Sequence, residues 1–229
     1  MSLSTPLVKK DAKKERLELR LLRHHLPIAI VSLLAGAGLY GSLPGHDWIS
    51  KVSMSSAYVS LALIGLTLAV GPWRTIMKQK MPVSQDLRRD LGIWAGITGL
   101  LHTVVGINVH LRGRPWLYFI YEHPERHAFP LRHDQFGFAN ESGLIASLLL
   151  AMLLATSNDW SLRRLGTPGW KKLQRWSYGM FALVVLHGIL FQLVEKQRLP
   201  LVLTFAMLAG STIVIQSAGY LRRRRSSRS

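Results

Sequence analysis

Cysteine is absent from this 229-residue chain. Its absence excludes disulfide bonds, iron–sulfur clusters and any chemistry that needs a thiol. A catalytic or redox function must therefore rest on other side chains or on a bound group that needs no thiolate.

Acidic residues are also scarce, since 12 Asp and Glu stand against 29 Lys and Arg and the formal charge is +17. Such a balance is typical of proteins that bind nucleic acid and of proteins that contact anionic membranes. Here the basic residues, including the run 222–225, flank long apolar stretches, so the sequence favours contact with membrane lipid. No nucleic-acid partner is expected.

Six apolar runs approach the roughly 17 to 25 residues that a membrane-spanning helix needs. They cover about 27–44, 56–73, 91–110, 143–157, 173–194 and 201–221, and the fourth reaches spanning length only if it takes in 139–142. None shows the alternation of a membrane β-strand. The sequence therefore predicts an all-α, polytopic membrane protein with a six-helix transmembrane bundle.

The basic residues also predict the orientation of this bundle. Of the 29 Lys and Arg, 22 lie in alternate segments on the side of the N terminus. By the positive-inside rule both termini are cytoplasmic, and we expect a multi-pass protein of the inner membrane. Residues 1–26 form a basic, amphipathic cytoplasmic segment, 27–221 the membrane domain and 222–229 a basic cytoplasmic tail.

One glycine motif is interpreted as helix packing. Residues 36–41 spell G-x-G-x-x-G, but they lie within and at the end of an apolar run rather than between a strand and a helix. No other nucleotide-binding fingerprint is present, so the chain is expected to have no NAD(P)H domain of its own.

His102 and His187 lie near the middle of the third and fifth apolar runs. Ionisable side chains inside a membrane are costly and usually face the bundle interior or a pathway. If both helices enter from the cytoplasm, the two histidines lie about 18 and 21 Å deep at 1.5 Å per residue. Matched depth suits the two axial ligands of one haem, which must be bound non-covalently because cysteine is absent.

Two glycines support a flat ligand beside His102. Gly99 and Gly106 stand three residues before and four residues after it, on the same helix face, and would clear space for a macrocycle. Histidines that serve packing or relay protons remain an alternative, as does a non-redox accessory subunit of a larger membrane complex. A transporter is disfavoured because no Asp, Glu, Lys or Arg lies in the membrane interior, and ion-coupled pathways usually need more than two titratable groups.

Four polar residues are expected near the cytoplasmic ends of the third and fifth helices: Arg88, Arg89, Gln174 and Arg175. Together they suit an anionic flavin phosphate or a quinone head group. Basic residues at a cytoplasmic helix end also satisfy the positive-inside rule, so both interpretations stay open.

The connection 111–140, expected on the outer face, is long and aromatic. Loops of this length are often functional or mobile. It would cap the haem edge, supply Arg112 or Arg114 to the haem carboxylates, or dock a partner protein. An interfacial aromatic lid without a partner is the alternative.

Two motifs carry a family resemblance, each leading to one of the histidines: Arg88-Arg89-x-x-Gly92 and Trp170-x-x-Leu173-Gln174-Arg175-x-x-Tyr178. They resemble the ferric reductase-like transmembrane domain family, closest to its MsrQ (YedZ) branch, over residues 27–220. The resemblance implies a six-helix bundle that holds b-type haem between its third and fifth helices, with His102 and His187 as the axial ligands. It also makes flavin mononucleotide (FMN), reduced by a cytoplasmic flavin reductase, or a membrane quinol the candidate donor.

The chain departs from relatives that stack two haems, which carry a further histidine on each of these helices. Gln174 stands thirteen residues before His187 and Arg89 thirteen before His102, and neither side chain is a good iron ligand. We therefore expect one haem b, in the outer half. The expected function is an oxidoreductase subunit that passes electrons from a quinol or reduced flavin to an acceptor protein on the outer face.

Overall fold

The structure is a computed structural model, and it describes residue 15 and residues 17–43, 45–77, 85–109, 114–195 and 198–226. Seven α-helices lie in these ranges: α1 Leu26–Gly41, α2 Trp48–Ile76, α3 Gln85–Gly106, α4 Gln135–Ala155, α5 Asp159–Gln174, α6 Trp176–Glu195 and α7 Leu199–Ser226. A π-helical turn, Leu21–His25, precedes α1. Within the described ranges, strand-like pairing is limited to an isolated bridge between Ile120 and Leu131. The prediction of an all-α fold is confirmed.

Five helical stretches among the described residues are long and apolar enough to cross a membrane: Leu17–Gly41, Trp48–Ile76, Gln135–Ala155, Asp159–Leu193 and Leu199–Ser226. The third predicted span lies in α3. This helix is not apolar enough to count among the five, because its first turns carry four charged residues. Helix α3 nevertheless packs against α2 and α4 inside the bundle. The protein is a multi-pass, all-α membrane bundle, and the six predicted runs lie in α1, α2, α3, α4, α6 and α7.

Helix α4 begins earlier than the fourth apolar run, at Gln135, and so takes in residues 139–142. The side chain of Asp134 caps it by accepting a hydrogen bond from the Gly137 amide. Burial raises the pKa of Asp134, but hydrogen bonds from Arg132 and the Gly137 amide outweigh burial and hold that pKa below its ordinary value. The capped start gives α4 the 21 residues it needs to span a bilayer.

Helix α5 was not predicted as a separate element. Asn158 caps its start by accepting a hydrogen bond from the Ser161 amide. The helix is kinked at Gly166, whose φ of 66° favours glycine, two residues before Pro168. Gly166 and Pro168 therefore bend the helix without ending it.

Small residues on α2 allow close helix contacts around the core. The Ser60 hydroxyl donates a hydrogen bond to the Ala95 carbonyl of α3 at 3.0 Å. A methyl group added at Gly99 would lie 2.5 Å from Leu150 Cδ2 and 2.8 Å from Ser60 Oγ, so this glycine lets α3 approach both α2 and α4. Close packing through small residues is a common source of stability between membrane helices.

A fully buried carboxylate joins the N-terminal turn to the bundle. Asp90, near the start of α3, has no exposed surface. Arg20 Nε lies 3.0 Å from each of its oxygens, His24 Nδ1 lies 2.9 Å from Oδ2 and His25 Nε2 lies 3.2 Å from Oδ1. The indole of Trp94 donates to His25 Nδ1 at 3.3 Å, which leaves the Nε2 proton of His25 facing Asp90.

This cluster was not predicted, and part of the predicted cytoplasmic segment, residues 1–14 and 16, lies outside the described residues. The described part of that segment contributes Arg20, His24 and His25 to the bundle, so it is more than a surface helix. A buried carboxylate with three cationic or hydrogen-bonding partners fixes α1 relative to α3.

Replacing Asp90 by Asn should destabilise the protein by about 3 kcal/mol, because the buried ion pair loses its negative partner while Arg20 stays in place. Unfolding in detergent, followed by circular dichroism, measures the change. Asp86→Asn is the matched control, since its carboxylate is 4.0 Å from Arg20 and 34% exposed. Equal losses in the two variants would contradict a special role for Asp90.

Candidate functional site

His102 on α3 and His187 on α6 meet inside the bundle. Their ring centroids are 6.1 Å apart and the ring planes are inclined by 69°. The two residues that the sequence placed at equal depth are thus neighbours in space. We call the end of the bundle where α2, α4 and α7 begin the His46 end, and the end where α3 and α6 begin the Asp90 end.

Each imidazole is held by a backbone carbonyl from a neighbouring helix. His102 Nδ1 lies 2.9 Å from the Ser53 oxygen of α2, and His187 Nδ1 lies 2.7 Å from the Ala139 oxygen of α4. Because a carbonyl only accepts, Nδ1 carries the proton in both rings. Nε2 of each neutral ring is then left with a free lone pair, the arrangement typical of metal-bound histidine.

Each of these two carbonyl oxygens also accepts a hydrogen bond from a serine of its own helix. The Ser53 oxygen also accepts a hydrogen bond from the Ser56 hydroxyl at 3.0 Å, and the Ala139 oxygen accepts one from the Ser142 hydroxyl at 2.9 Å. In each helix the serine stands three residues after the carbonyl it contacts. The local backbone that orients each histidine is therefore fixed by the same device.

The spacing of the rings suits one metal atom between them. A metal–nitrogen bond of about 2 Å on each side and about 1 Å from each nitrogen to its ring centre give a separation of about 6 Å. Among the described residues, no group of three or more His, Asp or Glu side chains is arranged to hold a metal ion. Two imidazoles alone suit a metal whose other ligands come from a macrocycle.

A cavity of about 290 Å³ surrounds the pair. One face of α2 lines it through residues spaced three or four apart, from Ser50 to Ile64, which is about 20 Å at 1.5 Å per residue. Toward the Asp90 end the wall is mostly apolar, with Leu150 and Val184. Toward the His46 end apolar side chains such as Ile107 and Phe191 are joined by polar ones: His46, Ser50, Tyr58, Asn140 and Gln192.

The two predicted glycines both line this cavity. A methyl group at Gly106 would make ordinary contacts, 3.7 Å from His102 Cε1 and 3.4 Å from Ser53 Oγ. At Gly99 it would overlap the neighbouring helices, as described above. Gly106 thus borders the imidazole, whereas Gly99 is also needed for helix packing.

Gly143 on α4 was not predicted, although it touches the site most closely. A methyl group there would lie 2.5 Å from His187 Nδ1 and 2.6 Å from His187 Cε1. The glycine therefore provides the space in which this ring reaches the Ala139 carbonyl. Nothing in the sequence alone identifies Gly143, because its role depends on the pairing of α4 with α6.

The predicted cytoplasmic cluster is brought together only in part. Arg89 Nε donates to the Ser157 carbonyl at 2.8 Å and Arg89 Nη1 to Asp159 at 2.6 Å. Gln174 Nε2 donates to the Thr156 hydroxyl at 3.4 Å. Both side chains thus hold the turn between α4 and α5, while Arg88 and Arg175 are exposed.

The long connection closes the His46 end of the cavity. The Tyr118 hydroxyl donates to the Gly106 carbonyl at 3.0 Å, and Asn140 Nδ2 donates to the Tyr118 carbonyl at 3.3 Å. Farther out, Tyr121 stacks on His127 with centroids 3.6 Å apart. Arg114 pairs with Glu122 at 2.6 Å, and Arg112 lies outside the described residues.

Replacing Gly143 by Ala should destabilise the protein by about 2 kcal/mol, because the added methyl overlaps the His187 ring and displaces it from the Ala139 carbonyl. Chemical unfolding in detergent measures the loss. Gly210→Ala is the matched control, since a methyl on that glycine of α7 meets nothing within 4 Å. If Gly143→Ala were as stable as Gly210→Ala, the tight fit around His187 would be refuted.

The sequence of this chain is similar to sequences of known proteins. No protein-family model matches the sequence. The chain is 30% identical over 166 residues to the protein-methionine-sulfoxide reductase heme-binding subunit MsrQ of Bordetella pertussis, and the match covers 70% of this chain and 73% of the relative. A protein of the same name from Yersinia pseudotuberculosis is 26% identical over 174 residues, covering 71% of each chain.

Proposed function

Since the chain belongs to the MsrQ family of protein-methionine-sulfoxide reductase heme-binding subunits, we propose that it is a membrane electron-transfer protein that binds one haem b. The observation that carries this proposal is the pair of part-buried imidazoles that face each other, each with Nδ1 held by a carbonyl and Nε2 left to bind iron. The relatives are named as heme-binding subunits, which supports haem as the cofactor, and the facing imidazoles support His102 and His187 as its ligands. The haem is non-covalent because the chain has no cysteine.

The residues around the pair fit an electron-transfer role. A haem held by His102 and His187 would supply one-electron transfer chemistry. The carbonyls of Ser53 and Ala139 fix both rings, so little rearrangement accompanies a change in charge. The apolar wall at Leu150 and Val184 keeps water from the Asp90 end of the cavity.

The binding of one haem, not two, is supported by the side chains nearer the Asp90 end. Arg89 and Gln174 occupy the positions expected for a second ligand pair. Both are engaged by the turn between α4 and α5, and neither is an imidazole.

We further propose the direction of transfer from the charge distribution. With 22 of 29 Lys and Arg on the side of both termini, the Asp90 end faces the cytoplasm and the His46 end faces outward. A quinol or reduced FMN would deliver electrons at the Asp90 end, where Arg88 and Arg175 are exposed and Arg89 and Gln174 shape the turn. The acceptor, a separate protein, would dock at the His46 end beside the connection 114–134.

Replacing His102 or His187 by Ala should abolish haem binding, because one of the two facing imidazoles is lost. The measurement is a reduced-minus-oxidised absorption spectrum of the purified protein, with haem counted per chain. His133→Ala, an exposed histidine of the long connection, is the control and should keep full haem. Full haem in either ligand variant would refute the assignment, and a wild-type protein without haem would favour the accessory-subunit alternative.

Replacing Arg88 and Arg175 together by Ser should slow reduction of the haem by reduced FMN about tenfold, because two exposed positive charges no longer attract the flavin phosphate. Reduction by an uncharged quinol should not change. Stopped-flow absorbance at two salt concentrations measures both rates. Arg164→Ser, on the exposed face of α5, is the control. If the flavin rate were unaffected while haem was retained, the donor site would lie elsewhere.

A further inference from the structure

Two buried polar atoms in the cavity wall lack a hydrogen-bond partner among the described residues. They are Nδ1 of His46 and Oε1 of Gln192, and both side chains line the cavity that holds His102 and His187. Buried polar atoms are rarely left unsatisfied, because each costs about 1 to 3 kcal/mol. A ligand in the cavity is therefore the natural partner for both.

The position of His46 is set by the start of α2. The next residue, Asp47, caps this helix by accepting a hydrogen bond from the Ser50 amide. The cap fixes the backbone beside His46, and Ser50 lines the cavity next to it. The imidazole thus lines the cavity next to a capped, rigid helix end.

The orientation of the Gln192 amide follows from its neighbours. The Tyr58 hydroxyl donates its only proton to the Leu201 carbonyl at 2.9 Å. Tyr58 then accepts from Gln192, whose Nε2 lies 3.2 Å away. This chain of hydrogen bonds directs the amide nitrogen to Tyr58 and leaves Oε1 as the acceptor without a donor.

The cavity as a whole is asymmetric along its length. Its Asp90 end is mostly apolar, and its His46 end carries the polar side chains. A flat ligand with carboxyl groups on one edge would place that edge at the His46 end, since burying carboxyl groups against Leu150 and Val184 is costly. Haem b is such a ligand, with two propionic acid groups on one edge.

We propose that His46 and Gln192 bind the carboxyl groups of the haem, an inference that rests on the proposed function. The imidazole of His46 donates a hydrogen bond to a carboxylate oxygen. The acceptor atom of Gln192 receives the proton of a carboxyl group that stays un-ionised in the buried site. Each orphaned atom thereby obtains a partner of matching type, and the haem is bound in one orientation.

The test compares two ligands that differ only in their carboxyl groups. The full-length protein, purified in detergent without haem, is titrated with haem b and with its dimethyl ester. The wild type should bind haem about tenfold more tightly than the ester. In His46→Leu this preference should fall to about unity because haem affinity drops while ester affinity does not, and Gln192→Leu should show the same trend.

Two controls separate this role from a structural one. His133→Leu removes an exposed histidine outside the cavity and should keep the tenfold preference. The haem-free His46→Leu protein should unfold at the wild-type temperature, since Nδ1 of His46 has no partner to lose among the residues that the structure describes. The absorption spectrum of bound haem should also be unchanged, because both axial ligands remain.

The outcomes are distinguishable from those of the proposed function. A wild-type protein that binds neither ligand overturns both proposals. Binding of haem with no preference over its ester, or equal loss of both ligands in His46→Leu, overturns the carboxyl assignment alone. A changed iron spectrum in His46→Leu would show that His46 coordinates the metal, which also overturns it.

Discussion

The site depends on one hydrogen bond made twice, from a buried imidazole Nδ1 to the backbone carbonyl of a neighbouring helix. In the interior of a membrane bundle an unsatisfied polar group is costly, so a histidine there retains its hydrogen bond to a neighbouring carbonyl. The Ser53 and Ala139 carbonyls each provide that partner at less than 3 Å. They fix the tautomer, the ring orientation and the separation of His102 and His187 together.

These two bonds lie within two helix pairs that are extensively packed. One joins α2 to α3 and the other joins α4 to α6, and both pairs have broad contacts. Gly99 allows the approach of α3 to α2 and α4, and Gly143 makes room for His187 on α4. The site thus forms where two separately packed pairs meet, and the glycines that permit packing also set its geometry.

The six apolar helices and the two histidines within them follow from local features that a sequence displays, namely long apolar runs and costly ionisable residues, whereas α5 does not. The Asp90 cluster does not, because its partners stand 65 to 70 residues earlier and the first turns of α3 are too charged to suggest a buried carboxylate. The sequence does not identify the roles of Gly143 and His46, for a related reason. Each gains its role from a neighbour on another helix or on the cavity wall, which apolar periodicity does not encode.

The two ends of the bundle differ in how their polar groups are satisfied. At the Asp90 end, Asp90 is bound by Arg20, His24 and His25, while Arg89 and Gln174 are engaged by the turn after α4. At the His46 end, two buried polar atoms of the cavity wall have no partner within the described chain. Polar groups that satisfy one another stabilise the fold, whereas those left open toward a cavity await a ligand. Ser177 Oγ, near the start of α6 at the Asp90 end, is also a buried atom without a partner among the described residues, but Ser177 does not line the cavity. The two orphaned atoms that do line the cavity therefore favour a ligand toward the His46 end.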